Sequence, residues 1–136
     1  NKCRNDIERF GIENVRYVER TTSEVRLSQF YNTIDVQAHA RKDGECNSGA
    51  HYEGFAHRVP LISHYGTTFQ GHLETTGGGG FIVLGGDVEE YARIMRAFID
   101  KEVDYEALSE AAYQQYQKVT DVKMSAAQLN IYKELL

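Results

Sequence analysis

The stretch Asp43-Gly44-Glu45-Cys46-Asn47-Ser48-Gly49-Ala50-His51-Tyr52-Glu53-Gly54-Phe55-Ala56-His57-Arg58-Val59-Pro60-Leu61-Ile62 holds a loop, a helix and a strand in immediate succession. Gly44 to Gly49 are small and polar, as a loop requires. Ala50 to His57 carries no breaker except Gly54 and reads as a helix. Pro60-Leu61-Ile62-Ser63 reads as a strand, with Pro60 at its first position, where a missing N–H is tolerated. The short segment Asp35-Val36-Gln37-Ala38-His39 precedes the loop and reads as another strand, so the unit is strand, loop, helix, strand. Such a crossover belongs to a parallel sheet.

The alternation continues outward. A helix over about 2–10, with Ile7 and Phe10 on one side, is expected to stop at Gly11. Asn14-Val15-Arg16-Tyr17-Val18 alternates as a strand does. Thr22 and Ser23 offer N-caps to a helix bearing Leu27, Phe30, Tyr31 and Ile34. Downstream, Tyr65-Gly66-Thr67-Thr68 suits a short helix, and Gly77 to Gly80 a turn. Phe81-Ile82-Val83-Leu84 is a continuous apolar run of the kind found in strands buried on both faces. Asp87 is placed to cap a helix with Val88, Tyr91, Ala92, Met95 and Ile99 on its core side. Leu108, Ala111, Ala112, Gln115 and Val119 mark a further helix, and Met124, Ala127, Ile131 and Leu135 another. The expected class is α/β: a parallel Rossmann-like sheet of about four strands, flanking helices and a helical C-terminal tail.

Composition narrows the function. The 136 residues suffice for one domain. Fifteen basic residues against twenty acidic ones give a net charge of −5, which does not favour a nucleic-acid surface. Hydrophobic residues at 41% and charged residues at 26% have a globular balance. No apolar run approaches the roughly 20 residues of a membrane helix, and Asn1 to Glu8 do not resemble a secretory signal. Cys3 and Cys46 form no C-x-x-C pair, which points to a reducing, cytoplasmic setting. The chain opens on Asn1 directly in a helical pattern, as a piece of a longer protein would.

Several motifs fail on spacing. Ile82 and Val83 stand where G-x-G-x-x-G would need its third glycine, and the glycine run precedes a strand rather than following one. Gly44 and Gly49 have P-loop separation, but Ala50-His51 replaces the Lys-Ser/Thr pair. His39, His51, His57, His64 and His72 form no H-E-x-x-H, and no metal is expected. His57 and His64 could both approach a strand end, without a carboxylate partner.

Glu45 and Glu53 are the residues that point to chemistry. On the strand-loop-helix reading Glu45 follows a strand's carboxyl end and Glu53 lies one turn into the helix. The amides of Asn47, Ser48 and Gly49 then face the same crevice, where open parallel sheets bind ligands. Exposed N–H groups and the helix dipole favour an anion such as a diphosphate. Carboxylates accept hydrogen bonds from vicinal hydroxyls, so the set suits a ligand with both sugar and phosphate.

The stretch resembles the E-x7-E region of retaining, nucleotide-sugar-dependent glycosyltransferases of the GT-B fold. Glu45 and Glu53 match the two glutamates; Ala56, Val59 and Pro60 match the small residue and Val-Pro that follow. Asn14-Val15-Arg16-Tyr17, Asp35-Val36, Gly80-Phe81-Ile82-Val83 with Gly86-Asp87-Val88, and Ile131-Tyr132-Lys133-Glu134-Leu135 are similar to further segments in the same order. The resemblance implies a donor-binding C-terminal domain over 1–136, lacking its first strand-helix unit, with the family's phosphate-binding Arg and Lys, and lacking the N-terminal acceptor domain. It implies that Glu45 contacts the donor sugar and acts catalytically, Glu53 the nucleotide ribose, and the Asn47-Ser48-Gly49 backbone the phosphate or sugar. Transfer would be retaining and metal-independent, to a glycan, lipid or protein acceptor, in a protein that is cytoplasmic or membrane-peripheral. The fragment alone is expected to be inactive.

Three departures mark this sequence. Cys46-Asn47-Ser48 stands where Phe-Gly usually follows the first glutamate, and Tyr65-Gly66 replaces paired glycines. Arg58 occupies the position of a glycine before Val-Pro, so the helix must end differently or hold Arg58 left-handed, at a cost of about 1–2 kcal/mol. A non-catalytic scaffold of the same fold and a nucleotide-sugar epimerase-like enzyme remain open alternatives.

Overall fold

The computed structural model describes residues 2–39, 49–65 and 78–134. Their elements run α1 (Lys2–Arg9), α2 (Glu24–Tyr31), β1 (Gln37–Ala38), α3 (Gly49–Ala56), β2 (Leu61–His64), β3 (Gly80–Val83), α4 (Val88–Ile99), α5 (Tyr105–Lys118) and α6 (Asp121–Glu134). Helix starts are capped by side chains that satisfy orphan amides. Ser23 accepts from the Arg26 amide, Asp87 from Glu90 and Asp104 from Ala107. Gly11, at φ 58°, ends α1 as expected.

The sheet is parallel throughout, in the order β1-β2-β3. Gln37 pairs with Leu61, and Leu61 in turn with Gly80. Every residue of β2 is buried, which is the condition of a central parallel strand covered on both faces. Neighbouring side chains of β2 point to opposite faces and enter different clusters. Leu61 packs with Phe55 and Ala112, beside Tyr52 and Tyr116, so α3 and α5 cover one face. Ile62 packs with Val83 and Ile94, beside Val36, Phe81, Tyr91 and Phe98, so α4 covers the other. Gly80 is required by close approach: a Cβ there would stand 1.9 Å from the Leu61 carbonyl oxygen.

The parallel α/β class is observed, with corrections in detail. Three strands rather than about four are present among the described residues. Residues 14–18 form no strand; Val15, Tyr17 and Val18 are exposed, and no described strand lies beside them to complete a ladder. The segment instead meets α1, with the Arg4 guanidinium 4.9 Å from the Tyr17 ring centroid and 3.6 Å from Glu19. Helix α2 stops at Tyr31, before Ile34, where the Asn32 amide donates back to the Ser28 carbonyl and the Thr33 amide to that of Phe30.

Strand β3 ends at Val83, and Leu84 is 68% exposed rather than sandwiched. The α4 stripe is also displaced. Ile94 is its buried residue, flanked by Tyr91 and Phe98, while Val88, Ala92, Met95 and Ile99 form a second apolar line facing outward. Met124 and Ile131 of α6 are likewise exposed. The possible short helix at 65–68 falls, beyond Tyr65, outside the described residues.

Candidate functional site

Helix α3 is held at both ends. The Gln37 side-chain amide on β1 donates to the Val59 carbonyl at 3.2 Å and to the His51 carbonyl at 3.4 Å. At the far end Arg58 adopts φ 63°, so of the two endings the sequence allowed the helix takes the left-handed one. The Val59 amide donates to Gly54 and the Arg58 amide to Phe55, the paired bonds of a Schellman stop. Arg58 then reaches α5. Its guanidinium pairs with Glu110 and lies 4.2 Å from the Tyr113 ring centroid, and its carbonyl accepts from the Ser109 hydroxyl.

The first turn of α3 lies at the carboxyl edge of the sheet. His51, buried on α3, meets His39, which follows β1, edge-to-face with ring centroids 4.3 Å apart. Gly49 is the first residue of the helix, and Glu53 sits one turn further on an exposed position. Glu45, Asn47 and Ser48 lie outside the described residues, so of the expected site Gly49 and Glu53 are the members that can be placed. Both line one open cleft of about 600 Å³ with Tyr31, Tyr52, His57 and Tyr116.

Tyr31, the last residue of α2, closes the side of that cleft. It is 7% exposed, and its hydroxyl is 3.2 Å from Glu53 Oε2 and 3.1 Å from the Ala50 carbonyl oxygen. One hydroxyl proton serves both acceptors. Burial, then the Glu53 charge and the hydrogen bond to it, push the phenol up to about 12. At neutral pH the group is therefore a donor. The ring stacks on His57 at 5.6 Å and 14° between planes, and His57 Nδ1 is 3.0 Å from Asn32 Oδ1. With that oxygen accepting, Nδ1 carries the proton.

Tyr31 was readable from sequence only as part of the α2 apolar stripe. The one signal was a hydroxyl-bearing side chain within an otherwise apolar stripe that continued to Ile34. His57 and His64 do not meet: His57 stacks on Tyr31, whereas His64 ends β2 and lies against Tyr91, ring centroids 5.5 Å apart. A second cavity of about 430 Å³, between α4 and α5, contains none of the expected site residues. Among the described residues no group of three or more His, Cys, Asp or Glu side chains is placed to hold a metal ion. No helix among them is long and apolar enough to cross a membrane.

No protein-family model and no curated protein matches the chain. Solved structures do. Anabaena Alr3699/HepE in complex with UDP superposes with a TM-score of 0.79, the same protein with UDP-glucose with 0.76, and with UDP and glucose with 0.77. The fold is that of part of a GT-B structure. Identity is 20% in each case, and the match covers 99% of this chain and 36% of the other. The chain thus spans about a third of the length of Alr3699/HepE. At this identity the likeness is one of fold.

Proposed function

We propose that this chain is the donor-binding half of a retaining glycosyltransferase, which takes a sugar from a nucleotide sugar and passes it to an acceptor held by another domain. The observation that carries the reading is the place of Glu53: a carboxylate one turn into a helix whose N-terminus meets the carboxyl edge of a parallel sheet. Support comes also from the fold shared with a protein crystallised with UDP and UDP-glucose.

In this reading the ribose hydroxyls donate to Glu53. The amides of Asn47, Ser48 and Gly49, with the α3 dipole behind them, receive the diphosphate. Glu45 contacts the donor sugar. The chain's contribution to transfer is electrostatic: fixed N–H groups stabilise charge as it builds on the departing diphosphate, and a carboxylate beside an oxocarbenium-like sugar offsets its positive charge. No metal is needed in this scheme. The acceptor is a glycan, lipid or protein, and the complete enzyme works in the cytoplasm or at a membrane surface.

The test is titration of UDP and UDP-glucose into the full-length protein and its Glu45→Ala and Glu53→Ala variants. A charge-assisted hydrogen bond is worth roughly 1.5–3 kcal/mol, so loss of Glu53 should weaken UDP about 10- to 100-fold. Loss of Glu45 should spare UDP and harm UDP-glucose. Equal UDP affinity for wild type and Glu53→Ala overturns the ribose assignment. Failure of any nucleoside diphosphate to bind favours a scaffold role for the fold.

A further inference from the structure

We propose that Tyr31 is the positioning residue of this site, its hydroxyl holding the Glu53 carboxylate in one fixed orientation over the cleft between α2 and α3. The inference rests on the nucleotide-binding reading for its ligand, and on the geometry of four side chains for its substance. A glutamate on an exposed helical position is ordinarily free to rotate about three torsions, and ordering it on binding weakens affinity. Here Oε2 is engaged at 3.2 Å by a hydroxyl that is itself immobilised. Tyr31 is nearly buried, and its oxygen also lies 3.1 Å from the Ala50 carbonyl in the first turn of α3. Its ring is backed by the parallel ring of His57, and Asn32 fixes His57 through Nδ1.

The relay Asn32–His57–Tyr31–Glu53 therefore runs from the residue that caps the end of α2 to the middle of α3, the two helices that wall the cleft. It sets the carboxylate before a ligand arrives. The hydroxyl can play this part across the neutral range, because burial and the adjacent carboxylate keep it protonated until well into the alkaline. Binding to Oε2 leaves the second carboxylate oxygen to accept from a ligand hydroxyl.

The experiment uses Tyr31→Phe, which keeps the ring and its stacking and removes the oxygen alone. In the full-length protein it should weaken UDP about 3- to 10-fold, the worth of one hydrogen bond. The same substitution placed in Glu53→Ala should change UDP affinity no further. Equal losses in the two backgrounds overturn the proposal, since Tyr31 would then act without Glu53. A second readout is independent of any ligand. Glu53→Gln should lower the titration of the labelled Tyr31 phenol from about 12, and an unmoved titration also overturns the proposal. If wild type binds no UDP, the nucleotide reading falls, and the phenol titration alone decides whether Tyr31 holds Glu53.

Discussion

The guanidinium of Arg58 lies 4.2 Å from the ring centroid of Tyr113, joining the left-handed corner after α3 to the middle of α5. The same side chain pairs with Glu110, and its carbonyl accepts from Ser109. Contacts thus accompany a backbone conformation that a side chain ordinarily avoids. Arg58→Gly relieves the strain and loses the contacts; Arg58→Ala loses the contacts and keeps the strain. The alanine variant should be the less stable by about 1–2 kcal/mol, or roughly 3–8 °C in melting midpoint. Calorimetry of the two proteins checks this, and an alanine variant at least as stable as the glycine variant would contradict it.

Gly80 offers a sharper contrast. A Cβ there meets the backbone of Leu61, which cannot rotate away as a side chain tip can, whereas a Cβ at Gly85 meets nothing within 4 Å. Gly80→Ala should cost about 3 kcal/mol or more, at the upper end of overpacking effects. Gly85→Ala should stay within about 0.5 kcal/mol of wild type. Urea denaturation of both variants distinguishes backbone contact from a mere turn preference.

The displaced stripe of α4 predicts opposite responses at two isoleucines. Ile94 is 3% exposed within the cluster of Ile62 and Val83, whereas Ile99 is 77% exposed. Ile94→Ala should destabilise by about 2–4 kcal/mol, and Ile99→Ala by no more than about 0.5 kcal/mol. Comparable losses at both positions would return Ile99 to the core.

One buried and one half-buried phenol set an alkaline limit. Tyr31 and Tyr91 are each raised to about 12, first by burial, and the Tyr91 hydroxyl donates to the Ile62 carbonyl at 3.0 Å. A phenol whose folded value exceeds its ordinary value of about 10 favours the fold fully below pH 10. That contribution disappears as pH rises through 12. The urea midpoint should therefore fall between pH 10 and 12, and fall less steeply for the Tyr31→Phe, Tyr91→Phe double variant. An equal slope in both proteins would assign the alkaline loss to other groups.

The parallel α/β arrangement could be read from the chain because it depends on local order: β1, the α3 helix and the run Pro60–Ser63 follow one another at crossover spacing. Asp87 and Ser23 were legible as caps for the same reason, whereas for Arg58 the sequence left open a different helix end or a left-handed residue, and the structure shows the second. What was not legible depends on neighbours distant in sequence. Val15 and Tyr17 alternate correctly, yet alternation describes a surface able to be half buried and does not supply the strand beside it. In α4 two apolar lines run side by side, so periodicity alone could not say which faced the sheet. Glu53 was visible as a carboxylate at a helix start; Tyr31, on a different helix, was not visible as its partner, because only the packing of α2 against α3 brings them together.

Strand β2 gives Leu61 to one cluster and Ile62 to the other. The domain therefore has two separately furnished interiors with one short strand as their party wall. The cleft of Tyr31 and Glu53 lies on the Leu61 side, so it can be remodelled for a new ligand while the Ile62 cluster on the opposite face keeps the sheet standing. A shift of β2 by a single residue disturbs both at once, exchanging the contents of the two rooms.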